Sequence, residues 1–249
     1  MTELSTQAKG QCVAIIAAGG GIGRAFVETL LADEAVGQVL AFSRTAPADH
    51  PKLTSFYVDL AEESSIELLG EKLKQMAEGV CIDKVVICSG LLHQGELRPE
   101  KSLRQIKTDN LQALYYMNAI VPMLVAQQLV PFLNKQQPTV FAALTARVGS
   151  ISDNGLGGWY GYRASKSAAH MLLKTLSIEL KRKLPKLAVI SLHPGTVDTS
   201  LSAPFQARVP TGKLFSPHQS AGYLWQVVQQ VSAEDSGKIF AWDGSEITP

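Results

Sequence analysis

Short apolar runs alternate with longer amphipathic stretches from one end of this chain to the other. The short runs are apolar on both faces, as buried strands are, and they lie at residues 11–17, 38–43, 54–59, 83–89, 138–144, 187–194 and 238–244. Between them, apolar residues recur at helical spacing at residues 22–32, 62–78, 103–134, 160–183 and 217–231. This alternation predicts an α/β fold: a doubly wound parallel sheet of about seven strands with helices on both faces.

No break in composition divides the 249 residues into separate parts. An α/β domain of this length is often a single unit, so residues 1–249 are expected to form one domain. The longest irregular stretch, residues 197–216, is rich in Pro, Ser and Gly and follows a predicted strand. Loops after the carboxyl ends of strands bind ligands in open α/β sheets. We therefore expect residues 197–216 to form a substrate loop.

The charge and hydropathy of the chain argue against several classes of partner. The formal net charge is +1, which supplies no field for attracting nucleic acid or an acidic membrane. No uninterrupted apolar stretch reaches the ~18–20 residues that span a bilayer. The first residues, MTELSTQAKG, lack the pattern of a secretory signal. We expect a cytoplasmic protein without nucleic-acid or membrane partners.

The cysteine and histidine residues show no metal-ligand spacing. Cys12, Cys81 and Cys88 lie in apolar, strand-like segments, and the five histidines are scattered along the chain. An odd number of cysteines in such segments indicates reduced, buried thiols rather than a disulfide framework. No bound metal is expected.

A glycine cluster follows the first predicted strand directly. The sequence Ala18-Gly19-Gly20-Gly21-Ile22-Gly23 leads into a predicted helix. Glycines at this point let the backbone approach a pyrophosphate, and the helix N-terminus offers free amides and the positive end of its dipole. The alternative is a tight strand-to-helix turn with no ligand. The position of the cluster favours dinucleotide binding.

The end of the second predicted strand indicates which dinucleotide is bound. About 20 residues after the glycines, a dinucleotide fold places the residue that contacts the adenosine ribose, and here the chain reads Ser43-Arg44-Thr45. NAD enzymes place a carboxylate there, whereas a guanidinium pairs with a 2′-phosphate. The alternative is an ordinary exposed loop arginine. The residues favour NADP(H) over NAD(H).

Tyr162 and Lys166 supply the candidate chemistry. They are four residues apart in a predicted helix, so both side chains lie on one face. A tyrosine with its ordinary pKa near 10 shuttles protons poorly at neutral pH, and a nearby ammonium favours the phenolate. The alternative is a partly exposed Tyr and Lys on an amphipathic helix. Together with the glycine cluster, the pair indicates proton transfer beside a dinucleotide.

These motifs resemble the short-chain dehydrogenase/reductase family along nearly the whole chain. The family has a Rossmann-like fold and a YxxxK pair, which Tyr162 and Lys166 match. Further family motifs match residues 17–23, Asp59, Gly90, Asn118 and residues 194–199. More narrowly, GLLH at 90–93, ARVGSISDN at 146–154 and HPGTVDT at 193–199 resemble the branch of C-factor cell-signalling proteins and Sniffer-like carbonyl reductases.

The resemblance implies a role for each matched residue. Tyr162 would give a proton to a carbonyl oxygen as hydride arrives, and Lys166 would hold the nicotinamide ribose and lower the pKa of the tyrosine. Asn118 would fix a water in the proton relay; as a residue by itself, it is equally a helix asparagine bonded to local backbone. Asp59 would contact adenine, and Val197 and Thr199 would hold the carboxamide. The expected cofactor-binding residues are Gly19, Gly21, Ile22, Gly23, Ser43, Arg44, Thr45, Asp59, Leu60, Ser89, Gly90, Tyr162, Lys166, Pro194, Gly195, Val197 and Thr199.

The chain departs from the family pattern in three places. Ala17 replaces the first glycine of the phosphate turn, which narrows the room there, and residues 87–90 read ICSG instead of NNAG. Ala146 occupies the usual position of the active-site serine. Thr145 lies next to it, although neighbouring strand residues face opposite ways, and Ser150 lies 12 residues before Tyr162. Either hydroxyl is a candidate, with Thr145 preferred for its place at a strand end, and a third alternative is that neither acts.

Two functions from different classes fit these residues. The first is an NADPH-dependent oxidoreductase that reduces a small, fairly apolar carbonyl compound, or oxidises the alcohol, with Tyr162 as general acid or base. The second is a dinucleotide-binding signalling or sensor protein of the C-factor type. Intact Tyr162, Lys166 and Asn118 favour the enzyme.

The chain is also expected to be a homodimer or homotetramer. In the resembling family, the helices near 103–134 and 160–183 pair across a two-fold axis. Here they carry apolar residues on broad faces, namely Leu111, Leu114, Tyr115, Val121, Leu124, Ala168, Met171, Leu172 and Leu176.

Overall fold

The structure, a computed structural model, describes residues 10–76 and 79–249. In chain order its main elements are β1 (Gln11–Ile16), α1 (Gly21–Ala32), β2 (Val36–Ser43), β3 (Leu53–Tyr57), α2 (Glu63–Lys74), β4 (Lys84–Ile87), α3 (Thr108–Tyr115), α4 (Val121–Leu129), β5 (Thr139–Leu144), α5 (Tyr160–Lys181), β6 (Leu187–His193), β7 (Thr196–Val197), β8 (Leu214–Phe215), α6 (Pro217–Gln230) and β9 (Ile239–Ala241). Residues 1–9, whose sequence lacks the pattern of a secretory signal, lie outside the described residues. Residues 77 and 78, the last two of the predicted helix 62–78, also lie outside them.

Seven of the strands in the described ranges form one parallel sheet in the order β3-β2-β1-β4-β5-β6-β9. The order reverses between β1 and β4, whose crossovers leave in opposite directions. In a doubly wound sheet, ligands bind in the crevice at this reversal, outside the carboxyl ends of the strands. The predicted α/β fold with about seven strands is confirmed.

Two apolar layers cover the sheet, and the alternation of strand side chains assigns residues to them. In β1, Ala14 and Ile16 face one layer and Val13 and Ile15 face the other. The first layer is completed by α2, α4 and α5, and the second by α1 and α6. Fully buried side chains such as Phe26 in the second layer each contribute about 1.5–3 kcal/mol of transfer free energy. The layers hold the strand ends in fixed positions, which is what a site at that edge requires.

The predicted helix 103–134 is broken into several parts. A 3₁₀ turn (Leu103–Gln105) precedes α3, a π-helical turn (Tyr116–Ile120) joins α3 to α4, and a 3₁₀ turn (Val130–Phe132) ends the stretch. By length and composition, the helical run Thr108–Phe132 would suffice to cross a membrane, with a mean hydropathy of 1.3 over its most apolar window. Its residues Val121, Val125 and Leu129 are buried in the first layer, as in a core helix.

The predicted loop 197–216 is more ordered than expected. β7 and β8 pair in parallel, with Thr196 opposite Leu214 and Val197 opposite Phe215, and a 3₁₀ helix (Ala203–Arg208) lies between them. Two-residue strands leave too short an apolar pattern to be recognised in the sequence. The expectation of three buried thiols was wrong for Cys81, which is exposed in the segment before β4, while Cys12 is buried and Cys88 is partly buried.

Candidate active site

Tyr162 and Lys166 lie one turn apart at the start of α5, and both side chains are buried. Lys166 Nζ donates to the carbonyl oxygen of Leu144, the last residue of β5, at 3.1 Å. The same Nζ lies 5.8 Å from the centre of the Tyr162 ring. Since β5 is an inner strand, this hydrogen bond fixes the ammonium at the carboxyl edge of the sheet. The alternative of a partly exposed pair on a helix surface does not apply.

Burial governs the protonation of this pair. Removal from water raises the pKa of Tyr162 above its ordinary value and lowers the pKa of Lys166 to about 8, because both charged forms lose hydration. From the sequence we expected Lys166 to favour the phenolate, and burial acts on the phenol in the opposite direction. The neutral, proton-bearing phenol is the form that a general acid needs.

Asn118 joins the loop after β4 to the start of α5. Its Oδ1 accepts from the Leu91 amide and its Nδ2 donates to the Leu91 carbonyl, both at 2.8 Å. The same Nδ2 donates to Ser165 Oγ at 3.0 Å, and Ser165 Oγ donates to the Tyr162 carbonyl at 2.9 Å. Asn118 lies in the π-helical turn, a deviation that often marks functional positions in helices. Its amide therefore bonds to a distant segment rather than to local backbone.

Gly90 is the point where these groups meet. A methyl group on its α-carbon would lie 3.7 Å from Lys166 Nζ and 3.8 Å from Asn118 Oδ1. The predicted glycine after β4, the lysine and the asparagine are thus brought together beside Tyr162. Such convergence of polar groups at a strand edge is typical of a catalytic crevice.

Thr145 lies on the α5 side of the sheet. Phe141 and Ala143 of β5 face the layer that contains α4 and α5, and the Thr145 amide continues the ladder by donating to the Leu192 carbonyl at 2.7 Å. By strand alternation, the Thr145 side chain faces the same layer without a bulge. Ala146, at the usual serine position, shares an apolar cluster with Tyr162.

Ser150 is buried, and its hydroxyl bonds to groups outside the crevice. Its hydroxyl donates to the Thr248 carbonyl at 2.5 Å and accepts from the Asp153 amide at 3.1 Å. These bonds tie the loop after β5 to the carboxyl-terminal segment. Ser150 therefore has the contacts of a residue that organises this loop.

An apolar and aromatic wall surrounds the Tyr162 ring. Trp159 packs edge-on against both Tyr162 and Phe205, with ring centres 6.0 Å and 5.1 Å apart. Phe205 belongs to the 3₁₀ helix of the predicted substrate loop. His93 packs against Phe205, and its Nε2 lies 3.1 Å from the Ser200 carbonyl. The wall suits an apolar substrate rather than a charged one.

The glycine turn forms a cradle open to an anion. Gly20 precedes α1 in an extended conformation, and a methyl group on it would meet nothing within 4 Å. A methyl group on Gly23 would overlap the Ala17 carbonyl, so Gly23 permits the close packing of α1 on the turn. Ala17 itself has φ +63°, a region that favours glycine. The family glycine that Ala17 replaces is therefore accounted for by the backbone.

The residues predicted to bind the adenosine lie at the ends of β2 and β3. Arg44 is exposed, with Nη1 4.0 Å from Asp59 Oδ2. Ser43 donates to the Thr45 carbonyl at 2.5 Å, and a methyl group on Gly19 would overlap Thr45 Oγ1. The residues predicted to bind the adenosine ribose therefore lie against the glycine turn.

The segment after β6 completes the crevice. Ser220 donates to the Pro194 carbonyl at 2.9 Å, and Gly195 adopts φ +77° against the Phe215 ring. A methyl group on Gly21 would lie 3.3 Å from Thr199 Cγ2. Thr199, one of the two predicted carboxamide-binding residues, therefore lies beside the amino end of α1, and the other, Val197, is buried in β7 opposite Phe215.

The remaining predicted cofactor residues have mixed surroundings. Leu60 is buried in the first layer, and Ile22 packs against the second. Ser89 is buried just after β4, and its hydroxyl has no hydrogen-bond partner among the described residues. The open cradle and this orphaned hydroxyl both fit a dinucleotide along the edge of the sheet.

No sequence pattern indicated that Glu100 and His93 lie beside the candidate site. Glu100 is buried and accepts from the Gly161 amide at 3.1 Å. A contact across 61 residues leaves no periodicity or motif in the sequence.

Within residues 10–76 and 79–249, no group of three or more His, Cys, Asp and Glu residues could hold a metal ion.

Comparison with known proteins decides the family. Residues 11–209 match the short chain dehydrogenase family. The chain belongs to this family. C-signal of Myxococcus xanthus is 30% identical to this short-chain dehydrogenase over 146 residues, which cover 59% of this chain and 82% of that protein.

Two solved structures show the same fold. NADPH-bound carbonyl reductase from chicken fatty liver is 21% identical with a TM-score of 0.83, covering 98% of this chain and 96% of the other. Carbonyl reductase Sniffer of D. melanogaster is 20% identical with a TM-score of 0.83, covering 96% and 100%. The resemblance drawn from the sequence motifs is confirmed, and the protein is an oxidoreductase of a family that uses NAD or NADP.

Proposed function

We propose that this short-chain dehydrogenase is an NADPH-dependent reductase of a small, apolar carbonyl compound, with Tyr162 as general acid. The observation that carries the proposal is the meeting of Lys166 Nζ and Asn118 Oδ1 at Gly90, beside the buried Tyr162 ring. A module that only binds a dinucleotide has no need of this arrangement. The reverse reaction, oxidation of the alcohol, uses the same groups.

The chain's own residues carry the proton. When bound, the cofactor supplies or accepts the hydride. The Tyr162 hydroxyl donates its proton to the carbonyl oxygen as the alcohol forms. The Lys166 ammonium stabilises the phenolate that results, and its bond to the Leu144 carbonyl keeps it in place. The bonds from Asn118 through Ser165 hold the backbone of Tyr162.

The preference for NADPH rests on Arg44. Residues 43–45 contain no carboxylate to repel a 2′-phosphate, and the exposed guanidinium is free to reorient from its long contact with Asp59. The Thr45 hydroxyl lies at the glycine turn. The chicken liver carbonyl reductase of the same fold binds NADPH, which supports the same choice here.

Thr145 is proposed as the hydroxyl that polarises the carbonyl. It faces the α5 layer at the end of β5, whereas Ser150 donates to Thr248. The aromatic wall of Trp159 and Phe205 supports an apolar substrate. A cytoplasmic location and the absence of nucleic-acid and membrane partners stay part of the proposal.

A Tyr162→Phe variant tests the mechanism. NADPH oxidation, followed by absorbance over a panel of carbonyl compounds, should fall by about 100-fold or more while NADPH affinity stays nearly unchanged, as expected for loss of a positioned proton donor. Tyr160→Phe is the matched control, since this tyrosine starts the same helix and is exposed. Near-parental turnover in the Tyr162→Phe variant would rule the mechanism out.

The similarity to C-signal favours a second candidate, a dinucleotide-binding signalling protein with weak or no catalysis. Tight NADPH binding by the parent, together with no oxidation across the whole panel, would support this candidate over the reductase.

A further inference from the structure

Glu100 is buried beneath the first turn of α5, although it belongs to an irregular segment far upstream. Its Oε2 accepts from the Gly161 amide at 3.1 Å, and its carbonyl oxygen accepts from the Trp159 amide at 2.6 Å. Its Oε1 has no hydrogen-bond partner among the described residues. One residue therefore binds two amides at the start of the helix that carries Tyr162.

The start of α5 needs such support. Gly157, Gly158 and Trp159 all have positive φ, at 65°, 65° and 51°. For Trp159 this left-handed conformation is unfavourable and persists only where surrounding contacts fix it. Trp159 is also the N-cap residue, and among the described residues its side chain makes no capping bond. Glu100 replaces the missing cap from outside the helix.

The carboxylate fits closely between α3 and α5. A methyl group on Gly161 would lie 2.9 Å from Glu100 Oε1, 2.9 Å from Leu111 Cδ2 and 2.7 Å from Leu114 Cδ1. Glycine at 161 thus leaves space for the Glu100 side chain. The position of Glu100 is set by packing on one side and by two amides on the other.

We propose that Glu100 is a positioning residue for the reaction at Tyr162, a role that rests on the proposed function. Tyr162 directly follows Gly161, and the Trp159 ring packs on the Tyr162 ring. A shift of this turn would therefore move the proton donor and the aromatic wall together. A misplacement of about 1 Å at a reacting group costs roughly 100-fold in rate.

Three substitutions at this position separate placement from stability. Glu100→Ala removes the side-chain oxygen that accepts from the Gly161 amide, and Glu100→Asp withdraws that oxygen by one methylene. Glu100→Gln keeps a side-chain oxygen that can accept from the same amide. Asp33→Ala is the matched destabilised control. Asp33 accepts from Trp225 Nε1 at 2.8 Å and from the Ala35 amide at 2.9 Å, at the opposite edge of the sheet.

The readouts are steady-state reduction of a carbonyl compound, NADPH affinity, and amide hydrogen exchange of residues 158–163. We expect Glu100→Ala and Glu100→Asp to exchange faster in this segment and to lose about 10- to 100-fold in kcat. NADPH affinity should change less than about 3-fold. Glu100→Gln should keep both kcat and the amide exchange of residues 158–163 near the parental values. Asp33→Ala should lower the melting temperature without changing kcat or the exchange of this segment.

Faster exchange with parental kcat in Glu100→Asp, or failure of Glu100→Gln to restore turnover in a folded protein, would overturn the positioning role. If Glu100→Ala does not fold, the Asp and Gln variants decide the question. A parent protein that reduces no carbonyl compound would instead contradict the proposed function, and the exchange data would still report the placement of the turn.

Discussion

Arg44 and Asp59 face each other across the ends of β2 and β3, with Nη1 and Oδ2 4.0 Å apart. Arg44 is exposed enough to turn toward a ligand, and Asp59 stays oriented because its Oδ1 accepts from the Ala61 amide at 3.0 Å. The pair places one movable positive charge beside one fixed negative charge at the end of the crevice where the adenosine ribose is predicted to bind. A dianionic phosphate competes well with a single carboxylate for a guanidinium.

Arg44→Ala should weaken NADPH binding by roughly 10- to 150-fold, the equivalent of losing one charge-assisted contact of about 1.5–3 kcal/mol. NADH binding should barely change, because NADH has no 2′-phosphate. Titration of both cofactors, followed by fluorescence or calorimetry, measures the difference. Arg182→Ala is the charge-matched control, since Arg182 is exposed at the far end of α5. Tight NADH and weak NADPH binding by the parent would refute the cofactor assignment.

His170 should make the protein less stable in acid. Its ring is buried one turn after Lys166, and burial, followed by the charge of Lys166, lowers its pKa to about 4. The unfolded chain takes up this proton near pH 6.5 and the folded chain only near pH 4. As the pH is lowered from about 6.5 to 4, the free energy of unfolding should therefore decrease, by up to roughly 1.4 kcal/mol per pH unit.

Urea unfolding at a series of pH values checks this slope. His193, whose pKa burial also lowers to about 4, contributes in the same direction. His170→Leu should remove one proton's share of the dependence, and His50→Gln, at an exposed position, should leave it intact. An unchanged slope in His170→Leu would show that the ring does not stay neutral in the folded protein.

The order of the elements and the shared helix face of Tyr162 and Lys166 were predictable because they depend on local pattern. Apolar runs with different periods located the strands and helices, and Tyr162 and Lys166 need only helical spacing to share a face. The π-helical turn that carries Asn118 adds no apolar signal, so the stretch 103–134 was expected to be continuous. Contacts between distant parts of the chain also leave no local pattern in the sequence. The pairing of β7 with β8 and the hydrogen bond from the Gly161 amide to Glu100 were therefore missed.

Side-chain burial on the two long helices was predicted less well. Leu114 and Val121 were counted among apolar residues on faces broader than one sheet layer would cover, and both are buried inside the protein. Ile120 and Ile178 are exposed instead, beside the expected Tyr115 and Met171. A helix covered by the sheet and by a neighbouring helix buries more than one stripe, and sequence alone does not show which residues remain outside.

The exposed apolar residues of α5 should lie in a contact between copies of the chain. Met171 and Ile178 are 67% and 66% exposed, so α5 leaves a large apolar surface facing solvent in a single copy of the chain. Light scattering at micromolar concentration should give a dimer or tetramer, and the double variant Met171→Glu, Ile178→Glu should shift it toward monomer. Leu68→Glu, at an exposed position of α2, is the control. A monomeric parent would end this hypothesis.

Thr145 and Ser150 differ in what their hydroxyls do, and substitution should separate them. Thr145→Ala should cost roughly 10²–10³ in turnover with little change in NADPH affinity, as expected when a donor to the developing oxyanion is removed. Thr145→Ser should retain most of the activity, because it keeps the hydroxyl. Ser150→Ala should instead lower stability by about 1–3 kcal/mol, since the buried loop loses its bond to the Thr248 carbonyl.

Rigidity as well as position favours Thr145 over Ser150 as the donor to the carbonyl oxygen. A donor to the carbonyl oxygen must be fixed before the reaction, and a strand end is held more firmly than a loop. The Thr145 amide bonds to Leu192 in the neighbouring strand, and its hydroxyl lies 3.4 Å from the same carbonyl, a long contact that a substrate oxygen can replace. Ser150 would have to break a 2.5 Å bond to act. A silent Thr145→Ala with a crippled Ser150→Ala would reverse the assignment, and two silent variants would leave Tyr162 to polarise the substrate alone.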